Sequence, residues 1–383
     1  MDVLFLSISM GAGHLRAAHA LSEYVLYRHP KARTLVVDTF KYINPITHKL
    51  VVDGYLSTIK INPDIYGMLY RLSECRDNIN TASKIASKML SFKIKRLIEE
   101  FKPSIIACTH PFPLQMLSCL KRDKQIAIPS IGVLTDYVNH PMWFHDNIEA
   151  YVVGHDYIKK DMVRNNIPED RIFSYGIPVS KVFLNSRSKQ DVFKELDLDN
   201  KFTLLVMGGS LGFGDIENTY KSLLSSSRDI QLIVVTGKNS SLKRKLESIN
   251  NPYSKKVRIL GYVHNISDLM DCADLIVTKP GGMTISEALI KEVPILLISP
   301  IPGQEERNAN FLINSGVAAR ISKKENIENV LCQVIDNPVR YKQMKEMSKV
   351  LAKPHSGQDT VNLMEILTKL NKDFLQNTST FKS

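Results

Sequence analysis

The chain has 383 residues, 44% of them hydrophobic and 23% charged, with a formal net charge of +11. That balance excludes a disordered or fibrous chain, and the length suggests two domains. No apolar run reaches the roughly 18–20 residues of a membrane span, and the N-terminus has no basic n-region or small-residue cleavage site, so no secretory leader is expected.

The first element is the apolar run Val3–Leu6, read as a core strand. It leads into "SISMGAGHLRAAHAL", where Gly11, Gly13 and His14 open a helix expected from about His14 to Arg28. Arg16 stands where a dinucleotide fingerprint needs its third glycine, and no Lys-Ser/Thr pair follows as in a Walker loop. "TLVVDTF" is the next strand. The segment Lys41–Lys102 then breaks the rhythm. It holds 11 Lys/Arg against 6 Asp/Glu, together with Tyr42, Tyr55, Tyr66 and Tyr70. Its last part is a basic amphipathic helix with Leu90, Ile94, Leu97 and Phe101 on one stripe. Such a segment is either an ordinary helix with its stripe in the core or an element that docks on an anionic membrane surface.

Strand-like runs resume with "SIIACTH", "IPSIGVLTD" and "AYVVGH", which end at His110, Asp136 and His155. Between the last two, "LTDYVNHPMWFH" packs Asp136, His140, Trp143 and His145 together without an HxH or HxxxH spacing, so no metal is expected there. The second half repeats the pattern in "FTLLVMGG", "IQLIVVTG", "VRILGYV", "LIVTKPGG" and "VPILLIS". Short apolar runs alternating with helices indicate parallel sheets of βαβ units. The expected fold class is therefore α/β, with two doubly wound Rossmann-like domains facing a cleft. Their boundaries are read as 1–178 and 179–352, followed by a helical segment 353–376 returning toward the first domain and a disordered tail 377–383. Five scattered cysteines (Cys75, Cys108, Cys119, Cys272, Cys332) contain no CxxC pair, which suits reduced thiols in a cytoplasmic protein.

Ligands of open α/β sheets bind beyond the carboxyl ends of the strands. In "VTKPGGMTISEAL" the strand ends at Thr278, Gly281 and Gly282 turn the chain, and a helix start suits a diphosphate. Glu287, about one turn in, suits a ribose diol. "SPIPGQEERNANF" places Gln304, Glu305 and Asn308 at the next strand end, suited to sugar hydroxyls. "VMGGSLGFG", with Gly209 and Ser210, supplies a second glycine loop for phosphates. Together these describe a nucleotide-sugar pocket.

In that order, "GAGH", "TDYVNHPMWFH", "MGGSLGFG", "TKPGGMTISEAL" and "PIPGQEERNANF" resemble the family of monogalactosyldiacylglycerol synthases and bacterial processive diacylglycerol glucosyltransferases, within the family 28 glycosyltransferases. The peptidoglycan N-acetylglucosaminyltransferase is more distantly similar. The resemblance spans residues 1 to about 370. It implies a GT-B fold, with the acceptor in the first domain and the UDP-sugar mainly in the second. It also implies inverting transfer of a hexose to diacylglycerol or glycosylated diacylglycerol, with no cofactor and no catalytic metal. Carried over by position, Gly13 and His14 lie beside the nucleotide-sugar, and Gly281, Gly282, Met283 and Thr284 take the diphosphate. Glu287 takes the ribose, Gly261, Tyr262 and Val263 read uracil, and Gln304 and Glu305 contact the donor sugar. "SMGAGH" lacks one glycine of the commonest loop, and "GGSLGFG" replaces a more acidic version.

An inverting displacement needs a base for the acceptor hydroxyl. His14, held neutral by the positive end of its helix, is one candidate, and Asp136 is the other. The expected activity is that of a UDP-sugar-dependent hexosyltransferase of the 1,2-diacylglycerol 3-glycosyltransferase type, peripheral on the inner face of the membrane. Glucose is the expected sugar, with galactose open. A polyprenyl-linked or soluble acceptor and a non-catalytic UDP-sugar sensor are the alternatives. No RNA-binding motif accompanies the basic charge, so no nucleic acid is expected.

Overall fold

The computed structural model describes residues 1–9, 11–44, 82–209, 215–298, 300–321 and 327–380, with side chains throughout except at 82–90 and 374–380. Ser210, Tyr55, Tyr66 and Tyr70 therefore lie outside the described residues, as does the rest of the basic segment from 45 to 81.

The chain divides into two compact units, one of Met1–Lys181 with Lys353–Ser383 and one of Val182–Ala352. The first unit holds β1 (Val3–Ser7), β2 (Thr34–Asp38), β3 (Ile105–Cys108), β4 (Ser130–Val133), β5 (Ala150–Val152) and β6 (Ile172–Phe173). They form one parallel sheet in the order β2-β1-β3-β4-β5-β6. The second unit holds β7 (Phe202–Met207), β8 (Ile230–Val235), β9 (Val257–Leu260), β10 (Leu275–Thr278), β11 (Ile295–Ile298) and β12 (Ala318–Ile321). They form a second parallel sheet in the order β12-β11-β10-β7-β8-β9. Each order reverses direction beside its first strand, at β1/β3 and at β7/β10. Those are the points where an open α/β sheet leaves its carboxyl edge uncovered.

Both faces of these sheets are covered, and the sequence shows it as unbroken apolar runs rather than alternation. In β1, Leu4 and Leu6 enter one core with Ile106, Leu117 and Ile98. Val3 and Phe5 enter the other with Leu21, Val25, Val361 and Met364. The helix Ala82–Phe101 buries Ile94, Leu97 and Ile98 and leaves Phe92 70% exposed. Its buried stripe therefore includes Ile98, while Phe101 is only partly covered.

The chain returns to the first unit after Ala352. Ser356 Oγ donates to the Ile177 carbonyl at 3.1 Å, and the helix Ser356–Thr380 packs on the helix Gly13–Arg28. Glu365 accepts from His29 Nε2 at 2.7 Å and pairs with Arg28. This helix continues to Thr380, past the residue 377 where the sequence suggests a disordered tail. Once a helix is nucleated each further residue adds a hydrogen bond at little cost, and Asn-Thr-Ser-Thr contains no breaker. Residues 381–383 lie outside the described residues.

The contact that seats the returning helix is tight. A Cβ added at Gly357 would lie 2.2–2.6 Å from three ring atoms of Tyr24, itself buried in the helix Gly13–Arg28. Gly357→Ala is expected to cost about 1–3 kcal/mol, the range for overpacking a close-packed site. Urea unfolding measures it, and Tyr24→Leu should recover part of the loss in the double variant. Equal stability of Gly357→Ala and the parent would contradict this packing.

Candidate active site

In the first unit the sequence motifs converge on the β1/β3 switch point. β1 ends at Ser7, and the loop passes Gly11 at φ +79° into the helix that begins at Gly13. His14 is half-buried there. Its Nδ1 lies 2.9 Å from the Thr109 carbonyl oxygen, just beyond β3, and 2.7 Å from Thr135 Oγ1, just beyond β4. A carbonyl oxygen only accepts, so Nδ1 carries the hydrogen and the lone pair stays on Nε2. Thr109 Oγ1 stands 2.9 Å from Ser7 Oγ and 2.9 Å from the His14 carbonyl oxygen. That carbonyl must accept, so the Thr109 hydroxyl donates to it.

The His14 pKa lies below the ordinary histidine value, and burial is the leading cause. The negative charge of Asp136 and the Thr109 carbonyl both pull it upward. The sequence reading attributed this neutrality to the helix end, and the structure assigns it first to desolvation. His110 packs edge-on to His14 with ring centroids 4.7 Å apart. Its Nδ1 accepts from the Phe112 N–H at 3.2 Å and so caps the helix Pro111–Arg122. Burial and the neighbouring His14 hold its pKa well below the usual range. Thr109, His110 and Thr135 were not picked out from the sequence. The signal was present in "CTHP", a polar pair at the end of the strand beside the glycine loop.

His140 and His145 serve the backbone around Trp143. His140 Nδ1 accepts from the Met142 N–H at 3.2 Å, and His145 Nε2 donates to the Met142 carbonyl at 3.1 Å.

In the second unit the carboxyl edge carries the remaining candidates. β10 ends at Thr278, and the helix Gly282–Ile290 starts from Gly281 without a side-chain cap. Met283 is buried in the core, so its backbone N–H and those of Gly282 and Thr284 are what this helix start presents. Glu287 lies in the second turn of the same helix and is fully buried. Next door, the helix Gln304–Asn314 starts from Gly303, also without a side-chain cap. Asn308 is fully buried, and its Nδ2 donates to the Pro280 carbonyl at 3.0 Å. Asn308 therefore braces the Pro280–Gly281 turn, which the reading of its polarity as a sugar contact missed. Glu305 Oε2 accepts from the Ile301 N–H at 2.8 Å and lies 3.9 Å from Lys279 Nζ, while Gln304 is half-buried.

On the far side of β7, Gly209 turns at φ +71° with open space where a Cβ would stand. Beyond β9, Gly261 and Val263 are half-buried, and Tyr262 is 54% exposed. His264 stands edge-on to the Tyr262 ring, and Lys238 Nζ lies 5.7 Å from its centroid.

Helix starts in both units differ in whether a side chain caps them, and Ser188, Asp215 and Asn265 do not cap theirs. Asp38, His110, His155, Asn239 and Asn337 cap their helices with their own side chains. The helices at Ala12, Gly281 and Gly303 begin on residues with no side chain able to do so. All three follow strands at the carboxyl edges, and no side chain caps the positive ends of these helices.

Comparison with known proteins places these residues in context. The model of the monogalactosyldiacylglycerol (MGDG) synthase family matches residues 14–179, and that of the glycosyltransferase family 28 C-terminal domain matches residues 203–360. A processive diacylglycerol beta-glucosyltransferase of Bacillus cereus is 31% identical over 367 residues, covering 94% of this chain and 92% of the relative. One from Bacillus pumilus is 30% identical, covering 97% of each. Among solved structures, Acinetobacter baumannii MurG matches with a TM-score of 0.61 at 16% identity, over 95% of this chain and 99% of that one. The S. aureus MnaA–UDP structure matches at 0.61 and 16%, over 97% of each chain. These likenesses establish the fold as GT-B, two Rossmann-like units in one chain.

The two depressed histidines set an acid limit on stability. Above pH 7 they are neutral folded or unfolded. As the pH falls through the ordinary histidine value near 6.5, the unfolded chain binds protons that the folded chain refuses, so stability is lost. His110→Asn keeps a side-chain acceptor for the Phe112 N–H and does not titrate. Its urea midpoint is expected to fall less than the parent's between pH 7.5 and 5.5. An equal fall would show that His110 is not buried in its neutral form.

Proposed function

The chain belongs to the family of monogalactosyldiacylglycerol synthases and processive diacylglycerol glucosyltransferases, and from that membership we propose that it transfers glucose from UDP-glucose to diacylglycerol. The observation that carries the reading is the His14 ring, whose Nδ1 is committed to the Thr109 carbonyl and whose Nε2 keeps its lone pair. A sensor of UDP-sugars needs no such base.

In this reading the acceptor hydroxyl oxygen attacks the anomeric carbon, and its proton passes to His14 Nε2. The bond from that carbon to the diphosphate breaks, and UDP leaves with the electron pair. An α-linked donor and a β-linked product, as in the name of the relatives, require this single inversion. Asp136 supports the step by favouring the imidazolium. The uncapped N–H groups at Gly282, Met283 and Thr284 meet the growing charge on the diphosphate. The reading therefore calls on no metal or cofactor. Glu287 takes the ribose, Gly261–Val263 the uracil, and Gln304 and Glu305 the sugar.

Among the described residues no helix is long and apolar enough to cross a membrane. We assign the protein to peripheral attachment at an anionic surface. Support comes from the surplus of Lys and Arg in Lys41–Lys102 and from exposed Phe92 on the helix Ala82–Phe101.

The test supplies UDP-glucose or UDP-galactose with diacylglycerol in anionic or neutral vesicles and identifies products by mass. Hexosyl-diacylglycerol from UDP-glucose, formed faster on anionic vesicles and slowed by salt, is expected. UDP binding without product, or transfer only to a polyprenyl-linked or soluble acceptor, would overturn the reading. His14→Ala should lower kcat ~10²–10⁴-fold, the usual contribution of a general base, with UDP affinity nearly unchanged. If Asp136→Asn abolishes turnover while His14→Ala keeps it, the base is Asp136. Glu287→Ala should weaken UDP binding by ~1–3 kcal/mol in calorimetry, and unchanged affinity would remove Glu287 from the site.

A further inference from the structure

We propose that Thr135 is a positioning residue for His14, whose hydroxyl oxygen joins the Thr109 carbonyl in accepting the Nδ1 proton and keeps that role when Nε2 takes a second proton. This inference rests on the reading of His14 as the base.

Two oxygens stand on one ring nitrogen, the Thr109 carbonyl at 2.9 Å and Thr135 Oγ1 at 2.7 Å. Were Nδ1 without its hydrogen, its lone pair would face the carbonyl oxygen at 2.9 Å, an unfavourable contact of two acceptors. With the hydrogen in place, both oxygens accept it, and the Thr135 proton points elsewhere. The two acceptors stand one and two residues beyond the ends of adjacent strands, β3 and β4, so the strand order of the sheet brings them to one ring nitrogen. Thr135 is buried, which keeps water from replacing its oxygen.

This arrangement has a consequence for the reaction. In a serine-protease triad a carboxylate sits at the corresponding nitrogen, fixes the tautomer and stabilises the imidazolium. Here two neutral oxygens hold the proton, and Asp136 contributes its charge to the ring. His110, the other titratable group against the ring, is held neutral by its own burial and so adds no positive charge to oppose the imidazolium. Hydrogen bonds from an ionised donor are stronger than those from a neutral one. The Thr135 contact therefore tightens as His14 takes the proton, and its loss should act on kcat more than on KM.

Thr135→Val removes the oxygen and keeps the branched shape. The expected result is a kcat lower by about 10- to 100-fold, the size of one hydrogen bond to a charged group, with KM little changed. By NMR the His14 ring should titrate at lower pH than in the parent. Thr135→Ser, which returns the hydroxyl, should restore both. Parent-like kcat and titration in Thr135→Val, or failure of Thr135→Ser to restore them, would overturn the proposal. The ring titration is read without turnover. A near-native kcat in His14→Ala would instead overturn His14 as the base and leave Thr135 to be judged on the titration.

Discussion

Parallel strands point all their carboxyl ends one way, and a crossover helix must leave from each. Where successive crossovers leave in opposite directions from neighbouring strands, the edge between them stays uncovered. In the first unit that gap lies between β1 and β3, held in register through Leu6 opposite Cys108. In the second it lies between β7 and β10, with Thr278 opposite Met207. His14, Thr109 and His110 stand at the first gap, and Gly209 and the Pro280–Gly282 turn at the second. A one-residue slip of either pair would send its side chains to the opposite core and displace these groups with them.

The polar groups gathered at these edges are costly to bury, and the hydrogen bonds around them offset the cost. His14 has two acceptors at Nδ1, His110 accepts a backbone N–H, and Asn308 donates to the Pro280 carbonyl. Each bond also fixes a direction. The cap on the helix Pro111–Arg122 requires the His110 Nδ1 lone pair, and that requirement and burial both favour the neutral ring. Asn308 fixes the turn that precedes the helix Gly282–Ile290. The same bonds that stabilise the buried groups thus set the orientation in which substrate groups would meet them.

The fold was legible because β1, β3, β7, β8, β10 and β11 are buried on both faces and read as near-continuous apolar runs, broken only by Thr203 in β7, Gln231 in β8 and the polar ends Ser7 and Thr278. β6 has only two residues, and β12 begins with two alanines that have little strand preference, so neither stood out. The turns at Gly11, Gly209 and Gly281 were legible from their position after apolar runs. Thr109, Thr135 and the bracing role of Asn308 were not. Their function depends on which strands are neighbours, and strand order is a property of the sheet rather than of any local spacing. The cause of His14's neutrality was hidden for the same reason, since burial comes from side chains distant in sequence.

The helix Gly13–Arg28 carries His14 in its first turn and meets the returning helix near its end. Its first turn is poor: Ala12 offers no side-chain cap, Gly13 is a weak helix former, and none of the residues of that turn is acidic. A side-chain cap would add about 1 kcal/mol but would occupy the N–H groups beside His14. The helix is secured further along instead. Ala17, Ala18, Leu21 and Val25 are buried, Tyr24 packs against Gly357, and Arg28 and His29 hold Glu365 of the returning helix. Stability is concentrated at the C-terminal end, which permits an open, glycine-bearing start. The return of the chain to the first unit after Ala352 thereby holds the C-terminal half of the helix whose first turn carries His14.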